Sequence, residues 1–170
     1  MRTAIIVSAC LLGEPVRYDG GTKPCPAVIA LTGCDGVEVV PVCPETAAGL
    51  PVPRPPAEQR DGGVFLSDGR DVTEAFAAGS AACAEAALAS GARIAILKAK
   101  SSSCGAGEIY DGTYSGTLVP GWGTFARLLR DAGVEVFTEA DVERAFADVR
   151  AGNLCNESLL PLVREASGLL

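Results

Sequence analysis

The sequence predicts an α/β fold: a single domain with a mostly parallel sheet flanked by helices, Rossmann-like, with long functional loops at the strand carboxyl ends. Three observations carry that expectation. Short apolar runs, Ala4-Ile5-Ile6-Val7, Val37-Glu38-Val39-Val40 and Arg93-Ile94-Ala95-Ile96-Leu97, alternate with segments of helical periodicity, as strands joined by crossover helices do. The 170 residues make the length of one domain. Hydrophobic residues make up 48% and charged residues 21%, which suffices for a packed core and argues against disorder.

The first strand is expected over residues 3–9. Residues 10–26 read as a loop, because Gly13, Pro15, Asp19-Gly20-Gly21 and Pro24 break any helix. A short helix fits 26–33 through Ala27, Val28, Ile29 and Leu31, and the second strand, 37–42, ends before Pro44. From Gly49 to Gly63 the chain carries Pro51, Pro53, Pro55 and Pro56, predicting an extended or turn-rich excursion. Asp71 and Glu74 match a capping box for a helix over 72–90. Its apolar stripe runs through Phe76, Ala77, Ser80, Cys83, Ala84, Ala87 and Leu88, and Gly91 stops it. The third strand, 93–98, opens onto a polar loop from Ala99 to Gly121, a length that marks functional loops. A helix over 122–132, a strand over 134–138 and a helix over 139–150, capped by Thr138 and Asp141, complete a domain of residues 1–150. Residues 151–170 are expected to form a C-terminal extension. Leu159, Leu160, Leu162 and Val163 there suit a packed helix that Gly152 and Pro161 interrupt.

The formal net charge is −7, with Lys and Arg scattered singly, so nucleic acid is a poor partner and a small molecule a better one. No apolar stretch approaches the ~20 residues that span a bilayer, which predicts no membrane partner. Met1-Arg2-Thr3 runs straight into the first strand. The expectation is no signal peptide and a cytoplasmic, reducing compartment.

Seven cysteines and no histidine define the available chemistry. An odd number argues against a fully paired disulfide framework. Without imidazole there is no Ser-His or Cys-His catalysis, and thiolate is the strong soft ligand left, suited to zinc or iron–sulfur clusters. Cys10, Cys43 and Cys104 each follow a predicted strand, and parallel strands deliver their carboxyl-end residues to one crevice. A three-thiolate metal site is the working hypothesis, with separate structural roles as the other reading that the residues leave open. Three ligands leave a coordination position for water or substrate, and on a [4Fe-4S] cluster they leave one iron free as a Lewis acid. Cys83 reads as core on its helix stripe. Cys34 lies at the amino end of the second strand, away from the other three, and is the reserve candidate. No strong element places Cys25 or Cys155.

Several motifs carry a resemblance. They are Ser8-Ala9-Cys10-Leu11-Leu12-Gly13, Arg17-Tyr18-Asp19-Gly20, Val42-Cys43-Pro44-Glu45, Gly49-Leu50-Pro51, Pro53-Arg54, Gly69-Arg70-Asp71-Val72-Thr73, Ala95-Ile96-Leu97-Lys98, Ser101-Ser102-Ser103-Cys104-Gly105 and Ile109-Tyr110-Asp111-Gly112-Thr113-Tyr114-Ser115-Gly116. Together, over residues 3–140, they resemble the bacterial thiouracil desulfidase family, formerly a domain of unknown function. The resemblance implies a cytosolic enzyme whose [4Fe-4S] cluster is held by Cys10, Cys43 and Cys104, its free iron binding the sulfur of thiouracil. It implies non-redox conversion of C=S to C=O with release of hydrosulfide, on a small thiolated pyrimidine, and favours Glu45 and Ser101 as active-site residues.

Glu45, two residues after Cys43, is placed to act as general base for water and then as proton donor; its other reading is a helix-capping carboxylate after Pro44. Ser101 suits orienting a ring carbonyl or relaying a proton. Ser103 and Tyr110 are the substrate-binding candidates, Tyr110 through stacking. The serines alternatively satisfy loop backbone groups, and the tyrosine packs on the sheet. Two other functions compete: a zinc-stabilised small-molecule binding module, and a metal-free enzyme with a cysteine nucleophile.

Overall fold

The computed structural model describes residues 2–168. In chain order its elements are β1 (Thr3–Ser8), α1 (Pro26–Thr32), β2 (Val37–Val42), α2 (Pro44–Ala47), β3 (Ala57–Arg60), β4 (Gly63–Leu66), α3 (Thr73–Ala89), β5 (Ile94–Leu97), β6 (Ala106–Tyr110), β7 (Leu118–Trp122), α4 (Thr124–Asp131), β8 (Glu135–Thr138), α5 (Glu139–Arg150) and α6 (Leu160–Ala166). Four strands build a wholly parallel sheet in the order β2-β1-β5-β8, the α/β architecture that the sequence predicts. Ile5 and Val7 of β1 and Ile94 and Ile96 of β5 enter a core shared with α1, α5 and α6. Ile6, Ala95 and Leu97, with the opposite orientation, enter a second core beneath α3 and α4. Strands covered on both faces are apolar at every position, which makes β1 and β5 conspicuous in the sequence. Pro41 is tolerated because β2 is an edge strand.

The capping box of α5 forms as predicted: Thr138 Oγ1 accepts from Asp141 N, and the Asp141 carboxylate accepts from Thr138 N at 2.8 Å. The box expected of Asp71 and Glu74 does not form. Asp71 pairs its backbone with Phe65, and its carboxylate accepts from Thr73 N at 2.9 Å, so it closes a local turn before α3 begins. Pro161 starts α6 in its first turn rather than interrupting it. Leu159, Leu162 and Val163 are buried in the first core, so the C-terminal segment packs on the sheet.

The larger departures lie at the carboxyl edge. The proline-rich excursion ends in an antiparallel hairpin, β3–β4. Its turn residues Asp61 and Gly62 have φ of 51° and 79°, the pair of positive angles that a tight two-residue hairpin turn requires. The polar stretch expected as a loop between Ala99 and Gly121 holds a second hairpin, β6–β7. No helix among the described residues is long and apolar enough to cross a membrane.

Candidate metal centre

A cavity of about 420 Å³ lies where β1, β2 and β5 end, roofed by residues of the two hairpins and their loops. Of the seven cysteines, all unpaired, only Cys10, Cys43 and Cys104 line it. Cys10 sits in a 3-10 turn, Ala9–Leu12, that follows β1. Cys43 precedes α2, with Pro44 in the first helical turn, where proline's fixed φ starts a helix at once. Cys104 lies in the turn between β5 and β6. Ser101 Oγ accepts from Ser103 N at 3.2 Å and Cys104 N at 3.1 Å. The carbonyl of Ser103 lies so close to Gly123 that a Cβ there would stand 2.4 Å from it.

Cys10 and Cys104 are buried and Cys43 is half-buried. Burial pushes the Cys10 thiol up to about 11, opposed by Lys98 and reinforced by Cys43. Burial also pushes Cys104 well up, opposed by the hydroxyls of Ser8 and Ser103, with Cys10 and Cys43 adding to the rise. A bound cation opposes these rises by displacing the protons of its thiol ligands. Among the described residues no set of three His, Cys, Asp or Glu is gathered tightly enough for a single metal ion. A four-iron cluster takes its thiolates at separate corners, so three thiols spread around a roomy cavity fit it better than they fit one zinc. No fourth thiol lines the cavity, and both oxygens of Glu45 are committed elsewhere.

Glu45 is the acidic residue in the first turn of α2. Its Oε2 accepts from Arg54 Nε at 2.8 Å, and its Oε1 accepts from Ser103 Oγ at 3.2 Å. Arg54, with a side chain only 3% exposed, also donates to the carbonyls of Pro51 and Val16. Gly79 of α3 lets α2 approach: a Cβ there would lie 2.3 Å from the Pro44 carbonyl. The hydroxyls of Ser101 and Ser103 stand 3.1 Å apart, so Ser101, Ser103 and Glu45 form one hydrogen-bonded chain.

The structure therefore gathers Cys10, Cys43, Cys104, Glu45, Ser101, Ser103 and Tyr110 around one cavity. Ser101 also performs the bland task foreseen for it, holding loop backbone. Cys83, read as core, is only half-buried: it packs against the second core on one side and meets the Cys43 backbone on the other. Cys34 lies away from the cavity, 3.9 Å from the Leu162 carbonyl. Lys98 is paired with Glu139, and Arg17 with Asp19 at 3.3 Å.

Sequence reasoning missed Ser8, Glu58 and Gln59 and did not give Arg54 its role. Ser8 accepts from Lys98 N at 2.9 Å, tying the ends of β1 and β5. Gln59 donates to the carbonyls of Ser102 and Trp122, at 2.8 and 3.0 Å. Such contacts cross between elements far apart in the chain and leave no periodic trace. The one available signal was Asp61-Gly62, which announces the hairpin that carries Glu58 and Gln59.

The chain's similarities agree with this geometry. The family model described as 2-thiouracil desulfurase matches residues 5–141. A Bacillus subtilis (strain 168) relative, the uncharacterized protein YbbK, is 36% identical over 148 residues, covering 81% of this chain and 97% of that protein. Among solved structures, the [4Fe-4S]-dependent thiouracil desulfidase TudS superposes with a TM-score of 0.78 at 42% sequence identity, covering 88% of this chain and 99% of that one. Matching this family model over most of its length, the chain belongs to the 2-thiouracil desulfurase family.

Proposed function

We propose that this protein is a [4Fe-4S]-dependent thiouracil desulfidase that replaces C=S by C=O without net redox change. The observation that carries the reading is the meeting of three thiols, each from a different strand end, at one cavity with neither imidazole nor a fourth thiol in its wall. The family relationship and the TudS likeness support it. Cys10, Cys43 and Cys104 are the ligands in this reading, and seven unpaired thiols suit a reducing cytoplasm. A net charge of −7 favours a small thiolated pyrimidine over nucleic acid.

When bound, the cluster supplies a thiophilic Lewis acid for the substrate sulfur. The protein's own residues handle water and protons. The balance is thiouracil plus water to uracil plus hydrosulfide and one proton. Glu45, anchored by Arg54 through Oε2, receives the proton of the attacking water at Oε1, where the Ser103 hydroxyl rests in the free protein. Ser101 relays through Ser103, and Tyr110 borders the space for the ring.

Protein prepared without oxygen and loaded with iron and sulfide is expected to be brown and to release hydrosulfide from thiouracil in step with uracil. Replacing Cys10, Cys43 or Cys104 by Ala should remove colour and turnover together, whereas Cys83→Ala should keep both. Colourless protein with stoichiometric zinc would instead identify a binding module, and activity in colourless, metal-free protein a cysteine nucleophile.

A further inference from the structure

We infer that Glu58 is a substrate-binding residue: one oxygen of its carboxylate accepts a hydrogen bond from a ring N–H of the pyrimidine. The inference rests on the desulfidase reading for the identity of the ligand, and names a contact that the reading leaves open. Two glutamates line the cavity, Glu45 and Glu58. Both oxygens of Glu45 are taken by Arg54 and Ser103. Glu58, on β3, is 8% exposed. Its Oε2 accepts from Gly112 N at 2.9 Å and Tyr114 N at 3.0 Å, while nothing among the described residues donates to its Oε1.

That second oxygen is not sealed inside the fold. Among the described residues, Ser167 Oγ is the one fully buried side-chain oxygen or nitrogen without a partner, so Glu58 Oε1 keeps an opening, on a residue whose surroundings include the cavity. Among the described residues, neither arginine nor lysine forms an ion pair with Glu58. A carboxylate oxygen so far withdrawn from water gains most from a donor that a ligand brings.

Thiouracil carries such a donor, because a ring N–H adjoins its thiocarbonyl carbon. Two backbone N–H groups on Oε2 fix the plane of the carboxylate before the ligand arrives, which lowers the ordering cost of binding. They belong to the 111–117 loop, and Tyr110 and Tyr114, which flank that loop or lie in it, line the cavity as well. The loop that holds the acceptor in place thus also brings aromatic surface to the cavity, suiting a flat ring with an N–H edge.

Glu58→Gln tests the assignment while sparing the anchor. The amide oxygen can still accept from Gly112 and Tyr114, and the amide NH₂ then presents donors where an acceptor stood. Binding of uracil, 1-methyluracil and 3-methyluracil to the cluster-loaded protein is measured by calorimetry, beside hydrosulfide release from thiouracil. Wild type should bind uracil at least ~10-fold more tightly than one of the methylated rings, since a site built around a donor rejects the analogue lacking it. Glu58→Gln should lose at least ~10-fold in uracil affinity together with that preference, at unchanged cluster absorbance and unfolding midpoint. Equal wild-type binding of all three rings would overturn the assignment, as would a Glu58→Gln variant that keeps the wild-type affinity and preference. Selective uracil binding without hydrosulfide release would sink the desulfidase reading and leave Glu58 standing. Failure to bind any of the three would remove both.

Discussion

The cavity has two walls of unlike construction. One is made of strand ends: β1, β2 and β5 lie in a single parallel sheet, and Cys10, Cys43 and Glu45 follow within a few residues of those ends. The other is made of the hairpins β3–β4 and β6–β7, which share no ladder with that sheet and are tied down by side chains such as Glu58, Gln59 and Arg54. The difference separates two tasks. In the reading proposed above, ligands Cys10 and Cys43 stand on the wall braced by two cores, and the groups that meet the organic ligand stand on the wall held by polar contacts and the small cluster of Val64, Leu66, Val72 and Phe76.

The largest effect that tests this division is chemical. Glu45→Gln keeps the size of the side chain and an oxygen for Arg54 but removes the proposed base, and is expected to lower hydrosulfide release by at least ~100-fold. Cluster absorbance should stay at the wild-type level. Loss of colour in that variant would mean that Glu45 belongs with the ligand framework, and the division of labour would fail.

Next comes a stability effect confined to the braced wall. In metal-free protein the Cys10 thiol sits at about 11 against an ordinary 9.0, and Cys104 is raised in the same direction. A raised thiol favours the folded state while protonated, so the Cys10 contribution is complete below pH 9 and is lost as pH climbs through 11, and that of Cys104 falls in the same direction. For Cys10 alone, two pH units correspond to about 3 kcal/mol. Urea midpoints of metal-free protein should fall between pH 9 and 11, and Cys10→Ser should flatten the fall. A midpoint that ignores pH over that interval would show that these thiols are not desolvated.

The smallest effect concerns the other wall. Gln59→Leu removes two hydrogen bonds and leaves the carbonyls of Ser102 and Trp122 without this donor, a cost of about 2 kcal/mol. Urea unfolding measures it. Colour should survive, because Cys10 and Cys43 follow sheet strands and Cys104 keeps its hydrogen bond to Ser101 Oγ; a variant that no longer takes up iron would show that the hairpin wall braces the ligands too.

The same contrast explains what the sequence disclosed. Apolar runs marked β1, β2 and β5, and the residues following them were visible as candidates because strand ends share a crevice. Thr138 and Asp141 announced α5 through adjacent positions. Arg54 and Gln59 act across gaps that no local pattern records, the first reaching back 38 residues to Val16 and the second forward 63 to Trp122. Cys83 kept the helical spacing of a core residue although it stands beside Cys43, since periodicity reports a helix face and not which neighbour that face meets.

Arg54 touches three stretches of backbone and side chain at once: the Val16 carbonyl, the Pro51 carbonyl and the Glu45 carboxylate. A planar fork has donors pointing in all of those directions, and a lysine ammonium on a flexible stem does not. This one side chain is therefore a surveyor's mark, fixing how far the segment after the first strand stands from the helix that carries Glu45, so that the distance survives any rearrangement of the loops overhead.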